Sequence, residues 1–171
     1  MAEVELILLR HGLAQPHGSV DDHLRALTPE GRQRTLRVCQ RACQLGLKAP
    51  ALITSPLVRA RQTAEVAIEA GLAPALTCDE ALAPGGDPWP LIHQWWTLER
   101  DAAVAPKLIL VGHEPDLGLL ASQLIGAPPG AVELKKAGIA VLAWPGTSPS
   151  PSSNHPGQLR LLLSPKVLGA V

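Results

Sequence analysis

The strongest constraint on the fold is a continuous apolar run, Leu108-Ile109-Leu110-Val111, which Lys107 opens. A short run without polar alternation is typical of a strand that is buried on both faces, as in a parallel sheet. Gly112-His113-Glu114-Pro115 follows, and apolar residues then recur at helical spacing over 117–125. The segment predicts one strand-helix unit of an α/β protein.

The same order of strand and helix recurs along the chain. Further strands are predicted at 4–9, 51–54, 75–78, 138–144 and 158–163, and further helices from Pro29 to about Leu45, after Ser55-Pro56 and after Asp87-Pro88. A Ser/Pro-rich stretch, 146–157, predicts a long flexible connection between the last two strands. We expect a three-layer α/β/α sandwich, with a mostly parallel central sheet and an antiparallel edge hairpin, as one domain over 1–171.

Composition excludes several classes of protein. Of 171 residues, 46% are hydrophobic and 18% are charged, which is incompatible with a disordered chain. Fifteen basic residues balance fifteen acidic ones, so no global charge favours a nucleic acid or an anionic membrane as partner. Because the sequence contains neither a targeting peptide nor an apolar run of about 20 residues, we expect a cytoplasmic protein.

Two features of the first predicted helix leave alternatives open. Cys39 and Cys43 lie four residues apart on the first predicted helix, where packing is the simplest role and a redox or metal role is the alternative. Arg34, Arg37 and Arg41 form a basic stripe on that helix. The stripe is either a solvated face or a docking patch for an acidic partner protein.

Candidate functional groups follow three predicted strands. Arg10-His11 ends the first strand, Ser55 to Arg59 follows the second, and Gly112-His113 follows the long apolar run. In parallel sheets, the carboxyl ends of strands and the amino ends of helices form ligand sites at one edge. Two cations and two imidazoles at that edge predict an anion site.

These segments resemble the signature segments of a known family. Leu9-Arg10-His11-Gly12, the stretch 55–64 (SPLVRARQTA) and Val111-Gly112-His113-Glu114-Pro115 are similar to those of the histidine phosphatase superfamily, also called phosphoglycerate mutase-like. The short chain and the stretch 82–87 (LAPGGD) most resemble the SixA-type phosphohistidine phosphatases. The resemblance implies a phosphoglycerate mutase-like fold and phosphatase activity.

The resemblance also implies roles for individual residues. His11 is the expected nucleophile, forming a phosphohistidine intermediate, and Arg10, Arg59 and His113 are expected to clamp the phosphoryl group. The scheme needs no metal or cofactor. The expected partner is a phosphorylated protein such as a histidine phosphotransfer domain, or a small phosphorylated substrate.

Protonation places two demands on the imidazoles. His11 must attack as the free base, and we expect a backbone carbonyl near Gly12 to orient it. His113 serves a phosphate better when it is charged.

The proton donor is the least specified part of the site. Larger members of the superfamily use a carboxylate for this step, and Glu80 is the nearest candidate, with Asp87 and Asp21 as alternatives. Glu80 could equally be an exposed acid at a strand end. Arg25 either lines the mouth of the pocket or forms a structural ion pair.

Three other functions compete with a protein phosphohistidine phosphatase. A phosphatase for small phosphomonoesters would require a definite carboxylate donor. A phosphate-binding module would lack turnover. A metal site could instead use His11, His113 and Glu114.

Overall fold

The computed structural model describes residues 3–99, 104–145 and 156–170. It contains the strands β1 (Glu3–Arg10), β2 (Ala51–Thr54), β3 (Leu76–Cys78), β4 (Lys107–Gly112), β5 (Ile139–Pro145) and β6 (Gln158–Leu163), and the helices α1 (Pro29–Gln44), α2 (Val58–Glu69), α3 (Trp89–Glu99) and α4 (Asp116–Leu124). Most of the predicted flexible connection, 146–155, lies outside the described residues. Within the described ranges, no helix is long and apolar enough to cross a bilayer.

The six strands form one sheet in the order β3-β2-β4-β1-β5-β6. Strands β3, β2, β4 and β1 are parallel, whereas β5 runs antiparallel to β1 and β6 antiparallel to β5. The predicted α/β fold with an antiparallel edge hairpin is therefore confirmed. The strand order also places the carboxyl ends of β2, β4 and β1 side by side.

Alternating side chains of the central strands enter two cores on opposite faces of the sheet. In β1, Ile7 and Leu9 join the core beneath α1 and α2, whereas Leu6 and Leu8 join the core beneath α3 and α4. Every one of these side chains is buried. Burial on both faces explains why residues 6–9 of β1 and 108–111 of β4 are apolar without alternation.

Helix α2 begins later than predicted. Ser55-Pro56 was expected to start it, but Leu57 is the residue that precedes its first turn. The Ser55 N–H instead donates to the Val111 carbonyl at 2.9 Å, which extends the pairing of β2 with β4. Ser55 therefore belongs to the sheet edge and its side chain is available to the site.

The cysteines support a packing role. Cys39 is fully buried in the core, and burial raises the pKa of its thiol to about 12. Cys43 is partly buried and packs against the same core, and Cys78 is exposed. None of the three is in a disulfide.

Candidate active site

The ends of three strands meet around one cavity. The His11 N–H donates to the Gly112 carbonyl at 3.0 Å, and Arg10 is in register with Gly112 across β1 and β4. The cavity beside them has a volume of about 290 Å³. The predicted residues that line it are Arg10, His11, Arg25, Arg59 and His113.

A backbone carbonyl orients the imidazole of His11. Nδ1 lies 2.7 Å from the Gly12 carbonyl oxygen, which can only accept, so Nδ1 carries the proton and Nε2 keeps its lone pair. Burial lowers the pKa of His11 to about 3, and the positive charges of His113, Arg59 and Arg10 act in the same direction, while the Gly12 hydrogen bond opposes them. His11 is therefore a neutral imidazole at pH 7.

The segment around Gly12 is fixed to helix α2. The Gly12 N–H donates to Thr63 Oγ1 at 3.0 Å, and Thr63 Oγ1 donates to the Arg59 carbonyl at 2.8 Å. A Cβ on Gly12 would overlap Thr35 Oγ1, so only glycine allows this close approach to α1. The Thr63 hydroxyl thus links the backbone of Gly12, next to His11, to the backbone of Arg59, which is predicted to bind phosphate.

Arg10 is held through the backbone of Leu134. Its Nη1 donates to the Leu134 carbonyl at 2.8 Å, and the Leu134 N–H donates to Glu114 Oε1 at 3.3 Å. Burial raises the pKa of the Glu114 carboxyl, against the effect of that hydrogen bond and of the Arg10 charge. Glu114, the residue after His113, is therefore linked to Arg10 through the backbone of Leu134.

His113 lies beside the nucleophile. The two ring centroids are 5.2 Å apart, and His113 Nε2 is hydrogen bonded to Ser55 Oγ at 2.8 Å. Burial and the charge of Arg59 lower the pKa of His113 to about 4. Burial beside the Arg59 and Arg10 cations therefore favours the neutral form of His113 at pH 7, whereas the charged form would serve a phosphate better.

Asp22 is a site residue that the sequence did not indicate. It lies in a single 3-10 turn, Asp22–Leu24, and Arg25 Nε donates to its Oδ1 at 2.9 Å. Arg59 donates to the Asp22 carbonyl at 2.7 Å and to Oδ2 at 3.2 Å. Although partial burial opposes them, the Arg25 hydrogen bond and the Arg59 charge hold the pKa of Asp22 below its ordinary value. Both alternatives for Arg25 therefore apply, since it lines the cavity and forms an ion pair.

Three nitrogen atoms of the predicted phosphate ligands are buried without a hydrogen-bond partner among the described residues. They are Arg10 Nε, Arg59 Nε and His113 Nδ1. Buried N–H groups are almost always paired, so the unpaired N–H groups of Arg10 and Arg59 indicate a site for an acceptor, and His113 Nδ1 adds a third donor when it carries a proton. An oxyanion offers acceptors of this kind.

The predicted proton donors are not brought to the cavity. Glu80 is exposed in a second 3-10 turn, Glu80–Leu82, and neither it nor Asp87 or Asp21 is among the residues that line the cavity in the described part of the chain. The carboxylates that do line it are Asp22 and Glu114. Catalysis by Glu80 stays a prediction without a contact to support it.

The metal alternative gains no ligand set from the structure. Over 3–99, 104–145 and 156–170, no three His, Cys, Asp or Glu side chains are grouped so that they could hold a metal ion.

Comparison with known proteins gives the family of this chain. The chain belongs to the histidine phosphatase superfamily (branch 1), whose family model matches residues 6–83. An uncharacterized protein of Picosynechococcus sp. (strain ATCC 27264 / PCC 7002 / PR-6) is 40% identical over 167 residues, which are 96% of this chain and 99% of that protein.

Solved structures show the same fold. The protein histidine phosphatase SixA, in complex with tungstate, superposes with a TM-score of 0.79 at 22% identity, covering 96% of this chain and 99% of that one. A mycobacterial glucosyl-3-phosphoglycerate phosphatase gives a TM-score of 0.72 at 18% identity, covering 94% and 99%. The fold is that of SixA, and family membership supports phosphatase chemistry.

Proposed function

We propose that the protein is a metal-independent phosphohistidine phosphatase. It removes the phosphoryl group from a phosphohistidine in a protein, such as a histidine phosphotransfer domain, through a phosphohistidine intermediate on His11. The observation that carries the proposal is the 2.7 Å hydrogen bond from His11 Nδ1 to the Gly12 carbonyl. This bond leaves the lone pair on Nε2, and His11 lines a cavity that Arg10, Arg25 and Arg59 also line.

In the first step, His11 Nε2 attacks phosphorus as the bond to the leaving nitrogen breaks. Arg10, Arg59 and His113 supply donors to the phosphoryl oxygens, on which negative charge is concentrated during transfer. The incoming dianion favours the protonated form of His113, because a nearby negative charge raises the pKa of an imidazole. In the second step, water attacks the same phosphorus, and inorganic phosphate and free His11 are formed.

The leaving group is the argument for phosphohistidine. An imidazole nitrogen is basic near neutral pH and takes its proton readily, so it needs no dedicated acid. The Asp22 carboxylate, held ionised by Arg25 and Arg59, is the wrong form for a donor but suits a protonated imidazole ring. A neutral alcohol leaving group would gain nothing from this carboxylate.

A second candidate is a phosphatase for small phosphomonoesters. Glu114 favours it, because its carboxyl lines the cavity and burial raises its pKa. Such an enzyme would depend on this acid to protonate the leaving oxygen.

The two candidates are tested by comparing the hydrolysis of a phosphohistidine peptide with that of small phosphomonoesters. A phosphohistidine peptide should be hydrolysed, and denaturation in alkali should trap labelled phosphate on the protein, because the P–N bond is labile only in acid. His11→Ala should lower the rate on the order of 10³ or more, whereas His23→Ala, an exposed histidine of the neighbouring turn, should retain it. Turnover of phosphomonoesters alone would reject the phosphohistidine proposal, and full activity of His11→Ala would reject the mechanism.

A further inference from the structure

A basic groove adjoins the catalytic cavity. It has a volume of about 590 Å³, twice that of the cavity, and the two share Arg10 and Lys136 as lining residues. We define the basic groove by its five cations, which are Arg10, Arg34, Lys135, Lys136 and Lys166.

The groove carries a strong excess of positive charge. Glu133 is the acidic residue among those that line it, against the five cations. Glu133 pairs with Lys135 at 3.0 Å, and Arg34 pairs with Glu30 at 3.2 Å. Lys136 and Lys166 are exposed and form no ion pair with any residue in the described part of the chain. A chain with a formal net charge of zero thus concentrates cations beside its reactive site.

The lysines are fixed to the catalytic segment by backbone hydrogen bonds. In the turn that carries Lys135 and Lys136, the Ala137 N–H donates to the His11 carbonyl at 3.1 Å, and the Gly138 carbonyl accepts from the Arg10 N–H at 3.1 Å. Ala137 has a positive φ of 57°, which a residue with a side chain adopts at a cost of about 1 kcal/mol or more. The fold therefore holds the backbone of Lys135 and Lys136 at a set position relative to His11.

We propose that the basic groove binds an acidic segment of the phosphoprotein, next to the phosphorylated residue in the cavity. The inference rests on the proposed phosphatase function and adds what the enzyme recognises besides the phosphoryl group. Its occupant follows from charge complementarity and from the continuity of the groove with the cavity. A second phosphate of a small metabolite would call for a compact, buried site, whereas these lysines are exposed and come from separate segments.

Peptide binding tests the groove without turnover. His11→Ala protein is titrated with two unphosphorylated fluorescent peptides of equal length, one rich in Asp and Glu and one with Asn and Gln in their place. The acidic peptide should bind about tenfold more tightly in low salt, and the difference should shrink at 0.5 M salt as screening increases. Equal affinities would overturn the proposal, as would equally tight binding of a single-stranded oligonucleotide.

Charge reversal locates the effect. Lys166→Glu and Lys135→Glu should each reduce the ratio of acidic to neutral peptide affinity by about threefold or more. Lys48→Glu makes the same change in net charge on an exposed lysine that precedes β2, at the opposite edge of the sheet, and should preserve the ratio. Preservation of the ratio in both groove variants would overturn the assignment.

Turnover measurements distinguish a failure of the groove proposal from a failure of the phosphatase proposal. With phosphohistidine peptides, the ratio of kcat/KM for acidic over neutral flanks should follow the binding ratios across the same variants. Hydrolysis of both peptides at one rate rejects the groove and leaves the phosphatase proposal standing. A sugar bisphosphate and the matching monophosphate test the alternative occupant. If a groove variant lowers the ratio of kcat/KM for the bisphosphate over the monophosphate and leaves the peptide ratio unchanged, the groove binds a small anion and the proposal is overturned.

Discussion

Asp22 is paired with the guanidinium of Arg59 through both its backbone and its side chain. Arg59 Nη1 donates to the Asp22 carbonyl at 2.7 Å, and Nη2 lies 3.2 Å from Oδ2. Arg59, which is predicted to bind phosphate, is therefore paired with a carboxylate of the protein itself. Phosphate must share these donors or displace Asp22 from them.

We expect Asp22→Asn to tighten the binding of inorganic phosphate by about five- to thirtyfold, because it removes one negative charge that competes for Arg59 and Arg25. Product inhibition in a turnover assay measures the effect. Asp21→Asn makes the same change in charge one residue earlier, outside the cavity lining, and should leave the inhibition constant unchanged. Equal inhibition constants for wild type and Asp22→Asn would show that Asp22 does not compete.

The two buried imidazoles predict a loss of stability in acid. The pKa values of His11 and His113 are lowered to about 3 and about 4 in the folded protein, against 6.5 when exposed. Between the folded and unfolded values the unfolded chain binds more protons, so the free energy of unfolding falls as the pH drops below 6.5. From pH 7 to pH 5, each histidine should account for about 2 kcal/mol of the loss.

Urea unfolding at the two pH values measures this loss. Because each variant keeps every other ionisable group of the wild type, the informative quantity is the difference from wild type. His11→Asn and His113→Asn should each lose about 2 kcal/mol less than wild type over this interval. His23→Ala, at an exposed position, should lose as much as wild type, and an equal loss in all variants would contradict the lowered pKa values.

The sequence predicted the site where functional residues directly follow strands that are recognisable by their apolar pattern. Apolar strands ending in Arg10-His11 and Gly112-His113 predicted both the sheet and the edge at which the site forms, since strand direction places these residues together. The carbonyl that orients His11 was predicted near Gly12 and is that of Gly12 itself.

Asp22 was not predictable in the same way. It reaches the cavity on one 3-10 turn of an irregular loop, where no periodicity fixes the direction of a side chain. The protonation of His113 also depends on tertiary burial, which the sequence around Gly112 does not encode. Lys136 lines both the catalytic cavity and the basic groove because the turn before β5 is hydrogen bonded to the end of β1. The residues that form these bonds are far apart in the chain.

Close packing at Gly12 predicts a specific pair of substitutions. Gly12→Ala should destabilise the protein by about 1–3 kcal/mol, because the added Cβ overlaps Thr35 Oγ1. That hydroxyl is buried and has no hydrogen-bond partner among the described residues, so Thr35→Ala should cost only the ~1 kcal/mol expected for the buried methyl group that it also removes. Gly12→Ala in the Thr35→Ala background should recover most of the loss, as measured by urea unfolding of all four proteins. A cost that is unchanged in that background would place the strain elsewhere, with Leu27 the next neighbour of the added carbon.

Glu114 predicts a separation between positioning and proton donation. Leu134 is buried, and its backbone joins the Glu114 carboxylate to the Arg10 guanidinium. Glu114→Ala should leave the Leu134 N–H unpaired at a cost of about 1–3 kcal/mol. Loosening of Arg10 should also raise KM about tenfold, with a smaller change in kcat.

Glu114→Gln distinguishes the two roles, because it keeps an oxygen that can accept from Leu134 but removes the acidic proton. If Glu114 positions Arg10, KM should stay within about threefold of wild type for phosphohistidine and phosphomonoester substrates alike. If Glu114 protonates a leaving oxygen, Glu114→Gln should lower kcat for phosphomonoesters on the order of 10² and spare phosphohistidine. The split between kcat and KM on the two substrates therefore decides between a residue that holds Arg10 and one that takes part in proton transfer.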